Sequence, residues 1–184
     1  MSDSGTQIRP LTPEDAAAYG ELRRNSLAEA PHLVGPRAER EARDELTALR
    51  ARIAAYPGEG VAVFGGFRGG ICAAAGALAR NADPKFAHKL FLWGMYVRPE
   101  FRGQSLGREM LERLLAFARR QPGAECVMLQ ATTTNEPAKA LYRKFGFVSC
   151  GIEPKALKLG DDYWDFETMQ LDLAKSDLPP APPG

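Results

Sequence analysis

At 184 residues the chain has the length of one domain, long enough to bury a core and too short for a second full domain. Lys and Arg total 24 against 23 Asp and Glu, and a net charge of +1 gives no field that would gather nucleic acid or an anionic membrane, so a small-molecule partner is expected. The three cysteines, Cys72, Cys126 and Cys150, lie far apart in apolar runs and match no metal-ligand spacing, which predicts buried reduced thiols and no metal.

Thr12-Pro13-Glu14-Asp15 starts a helix: a Thr N-cap, Pro at the first helical position, and acids facing the positive helix end. That helix is expected to reach about Ala30. Ala42, Leu46, Leu49 and Ile53 recur at helical spacing and predict a second amphipathic helix, which Tyr56-Pro57-Gly58 stops. Residues 61–67 and 71–79 are short apolar runs separated by Arg68-Gly69-Gly70, a strand hairpin. A strand over 89–97 follows. Beyond it, Leu106, Met110, Leu111, Leu114, Leu115 and Ala118 form one face of a helix that Gln121-Pro122-Gly123 ends. Residues 126–131 read as a fully apolar strand of the buried parallel type, 136–145 as a helix, and 147–151 and 166–173 as the last strands. The segment 174–184, ending DLPPAPPG, is a proline-rich tail that cannot bury a core and is expected to be disordered. The N-terminus has no basic region followed by an apolar stretch, and nowhere do about 18 uncharged apolar residues run together. A cytoplasmic protein is expected.

Residues 92–117, LWGMYVRPEFRGQSLGREMLERLLAF, run strand, glycine-bearing turn and amphipathic helix without a break. Such a turn aims unpaired backbone N–H groups and the positive helix end at one point, where a phosphate fits. The pattern alone also describes a tight connection in an α/β domain. The chain has no G-x-x-x-x-G-K-[ST] and no G-x-G-x-x-G, which argues against a nucleotide triphosphatase and a dinucleotide fold. Gly94 within a bulky strand suggests a bulge or the close approach of another group.

Two separated segments carry a resemblance. MYVRPEFRGQSLG resembles the pyrophosphate loop [QR]-x-x-G-x-[GA] of the GNAT superfamily of acyl-CoA-dependent N-acyltransferases, and TTNEPAKALYRKFGF resembles that family's later strand-to-helix segment. Their order and separation match, and IRPLTPEDA resembles the usual first strand and helix. The resemblance implies a single mixed α/β domain over 1–173, its central, mostly antiparallel sheet splayed in the middle and flanked by helices. It implies acetyl-CoA as co-substrate, an amine acceptor that is a small molecule, peptide or protein, no nucleic acid or membrane partner, and a homodimer as the family often forms.

Carried over by position, Arg102 takes the motif's first place, with Gly103, Gln104, Ser105, Leu106, Gly107 and Arg108 around the diphosphate. Ser105 stands where glycine is usual, which a negative φ would tolerate, and its hydroxyl can donate to a phosphate oxygen. Met95, Tyr96 and Val97 would present main-chain groups to the pantetheine arm. Asn135 would hydrogen-bond the pantetheine or N-cap the following helix, or both. Tyr142 matches the general-acid position: a phenol with an ordinary pKa near 10 is protonated at pH 7 and can hand its proton to a departing thiolate. Leu141 and Phe145 are expected to form its helix's packing face, with Tyr142 and Lys139 on another side.

No general base can be assigned, because 91–95, FLWGM, holds no carboxylate; His32, His88, Glu29 and Glu153 are candidates by chemistry only. Asp161, Asp162 and Asp165, beside Tyr163 and Trp164, would attract an amine or simply solvate a hairpin. Phe91 and Trp93 share a face and are expected in the core. The missing base leaves a non-catalytic acyl-CoA sensor or interaction module as an alternative to an acetyltransferase; an acyltransferase using another acyl donor is a further one, because the diphosphate and pantetheine contacts are common to all such donors.

Overall fold

The computed structural model describes residues 5–174. The expected tail lies outside the described residues except for Ala174. In chain order the elements are β1 (Gln7–Pro10), α1 (Ala16–Glu29), α2 (Pro36–Arg43), α3 (Leu46–Ala55), β2 (Val61–Arg68), β3 (Ile71–Arg80), β4 (Lys89–Val97), α4 (Leu106–Arg119), β5 (Cys126–Thr132), α5 (Glu136–Lys144), β6 (Val148–Leu159) and β7 (Asp162–Asp172), with short 3₁₀ turns between. The seven strands form one sheet in the order β1-β2-β3-β4-β5-β7-β6. Its pairings are antiparallel except β4 with β5, so the single domain is a mixed α/β fold with the parallel pair at its centre.

Local chemistry explains the boundaries. Asp15 accepts from the Thr12 N–H at 2.8 Å and pairs with Arg9 at 2.6 Å, which fixes the 3₁₀ turn Pro13–Asp15 that leads into α1. The second amphipathic helix expected from the Ala42-to-Ile53 stripe is two helices. Asp44 takes an extended ψ of 139° and Glu45 one of 157°, and the Asp44 carboxylate pairs with Arg52 at 2.6 Å; the stripe survives the break, but Leu46 is left 46 % exposed. The β2–β3 turn places both Gly69 and Gly70 at positive φ, as a two-residue hairpin loop demands. The last hairpin is longer than expected, because β6 runs on to Leu159 and β7 begins at Asp162.

Two cores lie on opposite faces of the sheet. One packs Leu106, Met110, Leu111, Leu114, Leu115 and Ala118 of α4 with Leu90, Leu92, Val127, Leu129, Tyr142 and Phe145; all six α4 residues are at most 1 % exposed. Each such leucine stabilises the fold by about 1.5–3 kcal/mol. The other packs Ala16, Tyr19, Leu22, Leu49 and Ile53 of α1 and α3 on Val61, Val63, Cys72, Ala75 and Ala77. Cys72 and Cys126 are buried free thiols as expected, whereas Cys150 is exposed on the outermost strand. Among the described residues, no helix is long and apolar enough to cross a membrane.

Candidate active site

β4 and β5 pair only from Lys89↔Cys126 to Leu92↔Leu129. Beyond Leu92, β4 stays with β3 through Trp93↔Ala77, Tyr96↔Ala75 and Val97↔Ala74, while β5 stays with β7 as far as Thr132↔Phe166. A gap therefore opens between the two central strands, and the edge of β4 facing it has no strand partner among the described residues. A bulge sets where this happens: Gly94 and Met95 together oppose Gly76, with Gly94 at φ +65°. A Cβ on Gly94 would lie 2.5 Å from Arg23 Nη2, so the bulge and the close approach of another group occur at the same residue. Because of the bulge, Trp93 and Tyr96 pack with the α1 face while Met95 and Val97 pack with the α4 face. Phe91, on the Trp93 side, is 39 % exposed and not part of the core expected for it.

The loop after β4 begins where the stretch of β4 that has left β5 ends. Glu109 N–H is the first in α4 to bond, to Ser105 O at 3.0 Å; the N–H groups of Gly103, Gln104, Ser105, Leu106, Gly107 and Arg108 have no partner among the described residues. Ser105 sits at φ +63°, ψ −1°, so the condition of a negative φ, under which a serine would be tolerated there, is not met. The turn keeps a glycine's left-handed geometry with a side chain that pays about 1–2 kcal/mol for it. The loop is tethered by Gln104, which donates to Glu100 O at 3.0 Å and accepts from Arg68.

The Arg102 guanidinium is bound to β4 and to the end of α1. It pairs with both oxygens of Glu29 at 2.7 and 2.8 Å and donates through Nε to Val97 O at 3.0 Å, while Tyr96 donates to the same Glu29 at 2.7 Å. Arg102 holds the Glu29 carboxyl below the usual carboxylate range, and burial, reinforced by Glu29, pushes the Tyr96 phenol up to about 12. Arg108 pairs with Glu112 at 2.9 Å on the exposed side of α4.

Across the gap, α5 follows β5 and leans on the start of α4: Leu141 Cδ2 is 3.8 Å from where a Cβ on Gly107 would be. Asn135 caps α5, its Oδ1 accepting from Ala138 N–H at 3.4 Å, which leaves its amide NH₂ group free to donate. Tyr142 is 7 % exposed, tilted on Phe147 with ring centroids 5.7 Å apart, and its hydroxyl makes no hydrogen bond among the described residues. Burial pushes this phenol up to about 12. The packing face of α5 differs from expectation. Lys139 and Tyr142 turn inward with Phe145, and Lys139 is held by Glu136 at 2.7 Å and Glu167 at 3.2 Å, whereas Leu141 is only half-buried.

On the α1 face a charged cluster lies beneath the bulge. Arg23, 1 % exposed, donates through Nη1 to Gly94 O at 2.7 Å and through Nε to Glu41 at 3.0 Å and Tyr19 OH at 2.8 Å. Glu41, 0 % exposed, also accepts from Tyr19 OH at 2.6 Å and from Tyr56 OH. Sequence reasoning missed both residues. Their signal was a charge at a core-facing position of a helical stripe: Arg23 beside Tyr19 and Leu22 in α1, Glu41 between Ala38 and Ala42 in α2.

The base candidates scatter. Glu29 is bound by Arg102 and Tyr96, and His32 stacks on Trp164 at 5.1 Å, which carries the α1–α2 connection from the β4 side over to β7. His88 lies just before Lys89, at the closed end of the β4–β5 pair. Glu153 is exposed on β6, Asp161 sits in the last hairpin turn, and Asp165 accepts from Lys155 N–H at 2.7 Å. A cavity of about 300 Å³ bordered by Leu11, Ile53, Tyr56, Leu78, Leu90 and Phe117 lies towards that same closed end, away from Gly94, and is not this site.

Known proteins resemble both the sequence and this architecture. The chain is 33 % identical over 98 residues to the N-alpha-acetyltransferase RimI of Mycobacterium tuberculosis, covering 53 % of this chain and 57 % of that one. It spans between 21 % and 57 % of the length of four curated relatives that it matches. In three dimensions it matches a GNAT-family acetyltransferase from Streptococcus pneumoniae with a TM-score of 0.80 at 19 % identity, covering 91 % of this chain and 99 % of that one. It matches yncA of Salmonella typhimurium, solved with its cofactor acetyl-CoA, with a TM-score of 0.80 at 21 % identity over 96 % and 98 % of the two chains. At such identities the likeness is one of fold. The acetyltransferase (GNAT) family profile matches residues 24–147, and the chain belongs to that family.

Proposed function

We propose that this protein transfers an acetyl group from acetyl-CoA to a primary amine by direct attack, with Tyr142 as the general acid. The observation that supports the reading is the gap beyond Leu92↔Leu129, together with N–H groups over 103–108 and a Tyr142 hydroxyl that have no partner among the described residues. The residues fit the co-substrate: six N–H donors at a helix start suit a diphosphate, the open β4 edge at Met95, Tyr96 and Val97 suits the amides of a pantetheine arm, and the Asn135 NH₂ group can donate while its oxygen caps α5. The acetyl-CoA in the structurally similar yncA supports the choice of donor.

Tyr142 enters the reaction protonated, because burial has moved its phenol to about 12. As the amine nitrogen bonds to the acetyl carbon and the carbon–sulfur bond breaks, Tyr142 gives its proton to the sulfur, and the amine's surplus proton leaves to water. Tyr142→Phe keeps the ring on Phe147 and removes only the hydroxyl. It should lower kcat by roughly 10²–10⁴-fold with the Kd for coenzyme A nearly unchanged, read as thiol release and by calorimetry. An unaltered kcat would remove Tyr142 from the mechanism.

A further inference from the structure

Four buried side-chain nitrogen or oxygen atoms among the described residues have no hydrogen-bond partner: Arg23 Nη2, Trp93 Nε1, Arg80 Nη2 and Thr132 Oγ1. The first two are neighbours, with the Arg23 guanidinium carbon 5.7 Å from the Trp93 ring centroid. Both are donors with no acceptor capacity, and a buried donor left unpaired costs about 1–3 kcal/mol. The rest of Arg23 is committed to Gly94 O, Glu41 and Tyr19, so a bound acceptor atom is what would satisfy its Nη2.

A third donor stands over the same ring. The exposed Arg37 guanidinium lies 5.2 Å from the Trp93 centroid and has no ion pair among the described residues. Glu41 offsets the charge of Arg23, so Arg37 leaves the group with a net positive charge and no acid of its own. Glu29, the acid at the end of α1, is already taken by Arg102. Three donors and one uncompensated charge are a carboxylate's complement.

The position fixes what the carboxylate belongs to. Arg23 Nη2 lies against Gly94, where β4 parts from β5, and on the face of the sheet opposite the α4 core that holds Tyr142. A carboxylate oxygen bonded to Nη2 would sit about 3 Å from it, beside Gly94. We propose that the acyl acceptor is a small amino carboxylate of the α-amino-acid type, its carboxylate held by Arg23 Nη2 and Trp93 Nε1 beneath Arg37 and its amine directed into the gap; this rests on the transferase reading above.

Acceptor series and direct binding test it separately. The common L-amino acids and their C-terminal amides, assayed by coenzyme A thiol release, should differ by at least about tenfold in kcat/KM in favour of the free carboxylates. Trp93→Phe keeps the ring and deletes one donor, and with Arg37→Ala should each shrink that ratio about fivefold while the Tm stays within a few degrees. Equal rates for acids and amides, or an unchanged ratio in both variants, overturns the proposal. If no acceptor releases thiol, the transferase reading fails by itself. The carboxylate site is then judged by the indole N–H resonance of Trp93, identified by its loss in Trp93→Phe: a saturable shift with the amino acids and none with the amides upholds it, and no shift with either overturns it.

Discussion

The two faces of the sheet are built from different materials. The α4 face is hydrocarbon: Leu106, Met110, Leu111, Leu114 and Leu115 over Leu90, Leu92, Val127 and Leu129. The α1 face, beneath the same bulge, buries an arginine, a glutamate and two tyrosine hydroxyls that bond one another and the carbonyl of Gly94. Packing can only hold a strand in place, whereas a guanidinium at 2.7 Å from Gly94 O sets the direction of one peptide. The apolar face is thus suited to support the loop after β4, and the polar face to shape the head of the gap.

Removing one charge separates these two kinds of support. Glu41→Gln keeps the volume and leaves Arg23 buried without its counter-charge, and should cost about 3–5 kcal/mol. At roughly 2–4 °C per kcal/mol for a domain of this size, the Tm should fall by some 6–20 °C. The pair Arg23→Met with Glu41→Gln removes both charges, keeps an oxygen for the tyrosines, and should regain most of the loss. Leu114→Ala on the α4 face should cost about 2–5 kcal/mol, with no single partner change that recovers it, because what is lost is contact on every side. A paired variant as unstable as Glu41→Gln alone would break the distinction.

Alkali probes the faces through their phenols. Burial raises the Tyr142 phenol from 10.0 to about 12 on the α4 face, and Tyr19 and Tyr56 are raised by burial and by Glu41 on the α1 face. The folded protein therefore keeps protons that the unfolded chain releases. The resulting stability is fully present below pH 10 and is lost as the pH climbs through the folded values, with Tyr142 alone accounting for about 2 kcal/mol by pH 12. Tyrosinate absorbance should lag the unfolded chain's titration and rise together with unfolding. In Glu41→Gln the lag should shorten for Tyr19 and Tyr56 and persist for Tyr142. A uniform change in all three would show that Glu41 is not what distinguishes the α1 face.

Arg102 joins the two faces, since its guanidinium bridges the loop after β4 to Glu29 at the end of α1. If it serves the diphosphate, Glu29 competes with the ligand. Arg102→Glu should weaken coenzyme A by about tenfold, the scale of one charged hydrogen bond. Glu29→Gln should tighten it by a few-fold, given what a half-exposed ion pair is worth. Calorimetry on both variants decides: opposite signs support competition, and weakening in both would make the pair a scaffold for the loop.

The α4 face was legible in the sequence because its rules are periodic. Residues at helical spacing from Leu106 to Ala118 and the alternation through Leu90 and Leu92 announce a stripe and a strand without knowledge of what they meet. The specific motifs of the family resemblance also rest on that half, through Met95 to Arg108 and Asn135 to Phe147. The α1 face was opaque because Arg23, Glu41, Tyr19 and Tyr56 come from three separate segments and depend on one another. Each alone in sequence is an ordinary polar residue, and only folding shows that they share one buried site. The break at Asp44 and Glu45 was hidden similarly, since a helical stripe looks the same whether one helix or two carry it.

Ser105 gives the smallest effect and the sharpest separation of stability from binding. At φ +63° it holds a conformation glycine adopts freely, so Ser105→Gly relieves strain but admits more freedom in the unfolded chain, for a net gain of about 0.5–1 kcal/mol. A hydroxyl that donates to a phosphate oxygen is worth about 0.5–1.5 kcal/mol. The same substitution should then weaken coenzyme A by roughly fivefold while raising the Tm by a few degrees. The opposite signs matter, because a loop merely loosened by glycine would lose affinity and stability together. An affinity equal to the parent's, with the Tm still raised, would assign diphosphate recognition to the six backbone N–H groups and leave the serine as a strained substitute for glycine.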